Sequence, residues 1–286
     1  MTSRILWFAL LALFGFSASA AQPGKMRKQV EASMVITGEL VVAPDGKVKS
    51  YEIDHAEALP PDTRELLAKA IPGWELVVAN VDGSPLRAPA AIKMSVQLVA
   101  RRMADDDERL RVSVQDMAFW DPKAQFSAKA NGTLAPPKYP SLAARSGISG
   151  MVYLAVLLDA DGNVAETHVE RVDMTVLANE KTLLKFGRIL AEAAVVGSKE
   201  WSFTIAPGRF KEGPVTVRVP VDFRLSAKGR EYGRWQAYVP GPYAPIPWEK
   251  RTADGGDVER SIGAMVPGQI YSTDAPIKLR NSPAGG

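Results

Sequence analysis

The residues best suited to chemistry are few and far apart. The chain has no cysteine and only two histidines, His55 and His168. A thiolate nucleophile, a disulfide and a cysteine-ligated metal are therefore excluded. Each histidine falls in the strand after an Asp-Gly turn, so the two would converge on a metal only if those strands faced one another. With no cluster of further ligands nearby they read as solvent-side strand residues, and no metal is expected. The acidic run Asp105-Asp106-Asp107-Glu108 is followed by Arg109 and Arg111. Its spacing matches no calcium loop, and it reads as a solvated hairpin tip or linker. Gly147-Ile148-Ser149-Gly150 lacks the spacing of a nucleophile elbow, and no phosphate loop, zinc-protease helix or dinucleotide fingerprint is present. The expectation is a protein with no catalytic residue, no cofactor and no small-molecule substrate.

The remaining function is binding, and composition narrows it. With 46% hydrophobic and 23% charged residues, the 286-residue chain is long enough for two ordinary globular domains. A formal net charge of +3, with basic and acidic residues interleaved, gives no electrostatic case for nucleic acid. At the N-terminus Arg4 precedes an apolar run from Ile5 to Phe16, and Ala18-Ser19-Ala20 places small residues before Ala21. That is the layout of a cleavable secretory signal peptide over residues 1–20. The apolar run is about 18 Å long as a helix, against the roughly 30 Å of a bilayer core. The uncharged stretch continues to Gly24, so an uncleaved anchor is the alternative reading. Export without cysteine suits the periplasm of a Gram-negative bacterium.

The elements that would present a binding surface occur twice. Met34 to Val42 leads through Pro44-Asp45-Gly46 to a second alternating run, and Gly150 to Asp159 leads through Asp161-Gly162-Asn163-Val164 to another. Asp-Gly between alternating runs predicts a hairpin, because glycine accepts the positive φ of a tight turn. A helical pattern follows each hairpin, Pro61 to Ile71 and Val176 to Val196, and each leads to a tryptophan, Trp74 or Trp201. A closing strand follows, Ala91 to Ala100 or Pro214 to Phe223, with one more strand, Leu110 to Phe119, extending the first copy. The fold class read from this order is α+β: two tandem small modules, each a three-stranded antiparallel sheet with a helix packed on one face. The boundaries are 21–120 for the first module, 121–136 for a linker and 137–226 for the second. A Pro/Gly-rich tail, 227–286, follows. Its aromatics up to Trp248 are expected to pack back or meet a partner, and the part beyond Lys250 is expected to be disordered.

The block from Pro137 to Leu225 resembles the C-terminal domain of the TonB family. The residues that carry the resemblance are Tyr139-Pro140 opening a short helix, Gly147-Ile148-Ser149-Gly150 entering a strand and the Asp161 to Val164 turn. The helix from Val176, Trp201, and Val219-Pro220-Val221-Asp222-Phe223 complete the set. The first module resembles a degenerate copy, without a Tyr-Pro helix before it. The resemblance implies a docking module that pairs an exposed strand edge with an extended segment of an outer-membrane TonB-dependent receptor. It implies partner contact at Tyr139 and Pro140, and along the last strand at Val217, Arg218, Val219, Pro220, Val221, Asp222, Phe223 and Arg224.

The last strand can be read from its residues alone. Val215, Val217, Val219, Val221 and Phe223 share one face, and Thr216, Arg218, Asp222 and Arg224 share the other. Pro220 cannot donate to a ladder, which places the strand at an edge. The valine and phenylalanine face is expected to be core, and Arg218 and Arg224 are expected to face a partner. The reading is a non-enzymatic periplasmic protein that binds a partner by strand pairing. The alternatives are an anchored energy transducer for outer-membrane transport and a structural envelope protein. Against the transducer stand the cleavable leader and the short linker, Asp121 to Pro136, which reaches only about 50 Å.

Overall fold

The computed structural model describes residues 30–78, 86–103, 110–120, 128–206, 214–225, 231–249, 261–273 and 277–280. The expected signal peptide, the acidic run Asp105 to Glu108 and the linker residues 121–127 lie outside these.

Both hairpins form where the Asp-Gly turns place them. Strands β1 (Glu31–Val42) and β2 (Val48–Ile53) form the first, and β7 (Gly150–Leu158) and β8 (Val164–Met174) the second. The turn glycines Gly46 and Gly162 have φ of 90° and 82°. Each is also pinned from outside: Leu76 N–H donates to the Gly46 carbonyl and Phe203 N–H to the Gly162 carbonyl, both at 2.8 Å. A side chain at either turn would meet the backbone oxygen of Leu76 or Phe203. Two independent constraints therefore demand glycine at each turn.

Helix α1 (Pro61–Ala70) starts on a proline whose missing N–H costs nothing at that position. Helix α3 (Glu180–Ser198) is capped by Asn179, whose side chain accepts from Thr182 N–H at 2.9 Å. The sequence pattern began it four residues too early, because Val176 to Ala178 are apolar but precede the cap. Leu183, Phe186, Gly187, Leu190 and Ala194 bury one stripe of α3. A five-residue helix, α2 (Ser141–Arg145), follows the Tyr-Pro pair. Trp74 and Trp201 are both buried beyond the helices.

The closing strands are β4 (Ala90–Arg102) and β10 (Val215–Phe223), and β5 (Leu110–Trp120) extends the first sheet as expected. Short strands β3 (Leu76–Val78), β6 (Ala128–Ala130), β9 (Phe203–Ile205), β11 (Gln236–Tyr238), β12 (Tyr271–Ser272) and β13 (Ile277–Leu279) complete the set. The fold is α+β with antiparallel sheets, but the sheets are larger than the three strands expected. One has five strands in the order β11-β1-β4-β5, with β2 beside β11 on β1; the other has four in the order β12-β10-β7-β8. The extra strands β11 and β12 come from the C-terminal region.

That region is where the sequence reading needs correction. The expected disorder beyond Lys250 does not hold for residues 261–273, where Ile262 and Ala264 are wholly buried. They pack with Met265, Tyr271, Ala118 of β5, and Met151 and Tyr153 of β7 in a third apolar cluster. The expected packing of the earlier aromatics does occur. Tyr232 O–H bonds the Thr37 carbonyl at 3.2 Å, Tyr238 O–H bonds Glu31 at 2.7 Å, and Trp248 Nε1–H bonds Thr216 Oγ1 at 3.0 Å. Each sheet therefore buries one face under its helix and the other at the junction with this strap. Continuous apolar runs such as MVYLAVLL in β7 have that cause: strands buried on both faces do not alternate.

Candidate docking edge

Strand β10 is held on one side by β7 over its whole length, from Val215 opposite Leu158 to Phe223 opposite Gly150, with no bulge. Val215, Val217, Val219, Val221 and Phe223 lie in the core with α3, as the alternation requires. The backbone direction on the other side follows from one contact. Thr273 N–H donates to the Thr216 carbonyl at 3.2 Å, so the carbonyls and N–H groups of even-numbered residues point away from β7. Pro220 belongs to that set, and its missing donor falls on the outer side, where it breaks no bond to β7.

The outer side is not wholly free. Strand β12 pairs with it antiparallel, Ser272 opposite Val217 and Tyr271 opposite Arg218. Among the described residues no strand pairs outside Pro220 to Phe223. The corresponding edge in the other sheet, that of β4, is filled by β5 from Lys93 to Arg102.

The side chains opposite the core differ from expectation. Arg218 does not face solvent: it is 5% exposed and makes a two-pronged ion pair with the wholly buried Glu170, Nε to Oε2 at 2.7 Å and Nη2 to Oε1 at 3.2 Å. Glu249 stands 3.8 Å from Nη2, and Tyr243 O–H lies 3.5 Å from Glu170. Arg224 pairs with Asp222 and is partly exposed. Tyr139 donates its O–H to the Ile148 carbonyl and sets its ring edge-on to Phe223, centroids 5.5 Å apart. Pro140 precedes α2 and accepts from Ala144 N–H at 2.9 Å. Tyr139 and Pro140 thus brace the start of β7 against the end of β10.

A second buried polar group went unread in the sequence. Register slips between Tyr153 and Leu154, so Glu170 is the extra residue of a bulge in β8. A bulge lets neighbouring residues project toward one side. Glu170 reaches Arg218, while Arg171 reaches Asp173 at 3.0 Å and Asp116 at 3.8 Å, with its guanidinium 5.0 Å from the Tyr153 ring centre. Gly263 N–H donates to Asp116 at 2.7 Å, and Gly241 N–H to Asp173 at 3.1 Å. Burial raises Asp116 to about 7, opposed by Arg171 and the Gly263 N–H and reinforced by Asp173. The signal that would have found this group is the charged run His-Val-Glu-Arg-Val-Asp inside a strand, too many charges for one exposed face.

The histidines stay apart. His55 lies just past β2, not within it, and is exposed beside Glu57; His168 lies in β8 with Nε2 3.2 Å from the Ala244 carbonyl. Among the described residues no cluster of three ligand side chains exists.

The family model for the Gram-negative bacterial TonB protein C-terminal matches residues 135–183, from just before the Tyr-Pro pair into α3. Residues 135–183 are thus similar to the TonB C-terminal domain. The chain is 35% identical over 91 residues to "Protein TonB" of two strains of Xanthomonas campestris pv. campestris, B100 and ATCC 33913. It is 36% identical over 91 residues to "Protein tonB2" of Pseudomonas aeruginosa. The similarity covers 32% of this chain and about a third of each relative's length, 35% and 29%. No solved structure matches the chain. The family-model match ends before β10 and covers the helix α2, the β7–β8 hairpin and the start of α3, while the similarity to the relatives runs over 91 residues.

Proposed function

We propose that the TonB-type module is a protein-docking unit of the Gram-negative envelope that takes an extended partner segment as an added strand on the outer edge of β10. The observation that supports this reading is the seat of β12. Two residues of the chain's own strap already pair there, so the outward backbone groups of β10 are geometrically able to hold a strand. The contact residues are Val217 to Arg224, with Arg218 contributing its backbone because its side chain is committed to Glu170. Tyr139 and Pro140 act by fixing the end of that strand. The partner class is an outer-membrane receptor, and the compartment is the periplasm.

The first module is a degenerate copy of the same plan. The strand orders β2-β1-β4 and β8-β7-β10 agree, but β5 fills the edge that the second module leaves nearly open. This supports assigning docking to the second module alone. An anchored energy transducer is the second reading, favoured by the names of the relatives. A mature N-terminus at Ala21 in periplasmic protein would exclude it.

Asp222→Pro tests the docking edge, since residue 222 points its N–H outward and tolerates the ring without losing a bond to β7. Asp222→Ala controls for the side chain. Site-specific crosslinking in envelope preparations should lose the receptor adduct with proline and keep it with alanine. Equal adducts from both would refute strand addition at β10.

A further inference from the structure

The first module carries one long strand with no equal in the second. Strand β5 fills the edge of β4 from Lys93 to Arg102, whereas the same place on β10 holds only the two residues of β12. Strand β5 is also bulged: register slips after Gln97, and Gln115 is the extra residue. A bulge changes which residues share a face. Val112 and Val114 before it, and Met117 and Phe119 after it, all pack on the first core. Asp116, Ala118 and Trp120 are thereby turned to the other side, toward the C-terminal strap.

All three grip the strap segment 261–273. Gly263 N–H donates to Asp116 at 2.7 Å, and a Cβ on Gly263 would lie 2.0 Å from Gln97 Oε1 and 2.4 Å from Asp116 Oδ2, so glycine is what fits. Ala118 shares a buried cluster with Ile262, Ala264 and Met265. The Trp120 ring meets Tyr271 edge-on, centroids 5.8 Å apart, and Val266 N–H donates to the Tyr271 hydroxyl at 2.9 Å. The hold of β12 on β10 is slighter. It consists of Tyr271 and Ser272 paired with Arg218 and Val217, and of Thr273, whose N–H and Oγ1 each lie 3.2 Å from the Thr216 carbonyl.

We propose that the first module serves to hold β12 on the docking edge as a built-in competitor, so that an incoming strand must displace it from Thr216 to Arg218. This rests on the reading of β10 as that edge. A backbone N–H or carbonyl committed to β12 is not open to a second strand, and the contact range Val217 to Arg224 overlaps the seat of β12 at Val217 and Arg218. The partner enters where β10 is open, from Pro220 to Phe223, and extends by peeling Tyr271 to Thr273 away. Loosening the grip of β5 shifts the strap toward the released state without touching β10.

Two readouts in the full chain test this. The first is amide hydrogen exchange by NMR without any partner. Arg218 N–H faces β12 and Val219 N–H faces β7. Trp120→Ala removes the ring contact, and Thr273→Pro removes the donor to Thr216 and leaves the first module intact. Each should quicken Arg218 exchange by about two- to tenfold, the worth of one aromatic pair or one hydrogen bond, and leave Val219 unchanged. Unchanged Arg218 exchange in either variant would overturn the proposal. The second readout is the crosslinked adduct formed with isolated outer membranes. Both variants should reach half-maximal adduct at a several-fold lower concentration than the parent, and adding Asp222→Pro should abolish it. Adducts unaltered by Thr273→Pro yet abolished by Asp222→Pro would overturn the competition and leave docking at β10 standing. Adducts that are absent, or that Asp222→Pro fails to remove, would overturn both.

Discussion

Replacing Glu170 by alanine should be among the most damaging single changes in the second module. Glu170 is wholly buried and makes both short contacts of the Arg218 guanidinium, whose side chain is 6% exposed. Its removal leaves a buried cation facing Glu249 at 3.8 Å, and that carboxylate is 35% exposed and partly screened by water. Stranding one member of a buried pair costs about 3–5 kcal/mol. At about 2–4 °C per kcal/mol for a chain of this size, the midpoint of thermal unfolding should drop by roughly 6–20 °C. The double change Glu170→Met with Arg218→Met removes both charges and should recover most of the loss, because apolar side chains of similar volume replace a buried pair at little cost. Unfolding followed by circular dichroism and tryptophan fluorescence, in urea and on heating, measures both. A single-variant loss under about 1 kcal/mol would show that the pair is effectively solvated and refute the burial reasoning. A double variant as unstable as the single one would show that Glu170 matters through the bulge and not through its charge.

Asp116 should make the chain less stable as pH rises. Its folded value of about 7 lies above its ordinary 3.8, so the folded state holds a proton that the unfolded state has already released. That contribution is complete below about pH 4 and is lost as pH climbs through about 7. Asp116→Asn should flatten the decline in pH-dependent urea titrations, and an unaltered slope would refute the assignment. Gly162→Ala should cost more than about 2 kcal/mol, because its positive φ is strained for alanine and its Cβ would sit 1.8 Å from the Phe203 oxygen. A melting point within 1–2 °C of the parent, equivalent to about 0.5 kcal/mol, would contradict that geometry.

Much of the molecule was readable in the sequence wherever the cause is local. Alternation, the two Asp-Gly turns and the helical stripes located β1, β2, β4, β5, β7, β8 and β10 and the two long helices to within a few residues. The apolar face of β10 and the edge position of Pro220 follow from period-two geometry and from a missing N–H. Those signals lie between residues that are neighbours in the chain.

Tertiary structure decided everything that pairs distant segments. Strands β11, β12 and β13 have two or three residues each, too few for any period to show, and they exist only because β1, β10 and β3 offer unpaired backbone groups. The strap that carries them is rich in proline and glycine, which marks irregular chain but not whether that chain is buried. Arg218 was misjudged for a related reason. Alternation placed it correctly on the face away from α3, but only the fold shows that this face is covered too. The partner that makes its burial tolerable, Glu170, reaches it from the bulge in β8, whose register no pattern along the sequence records.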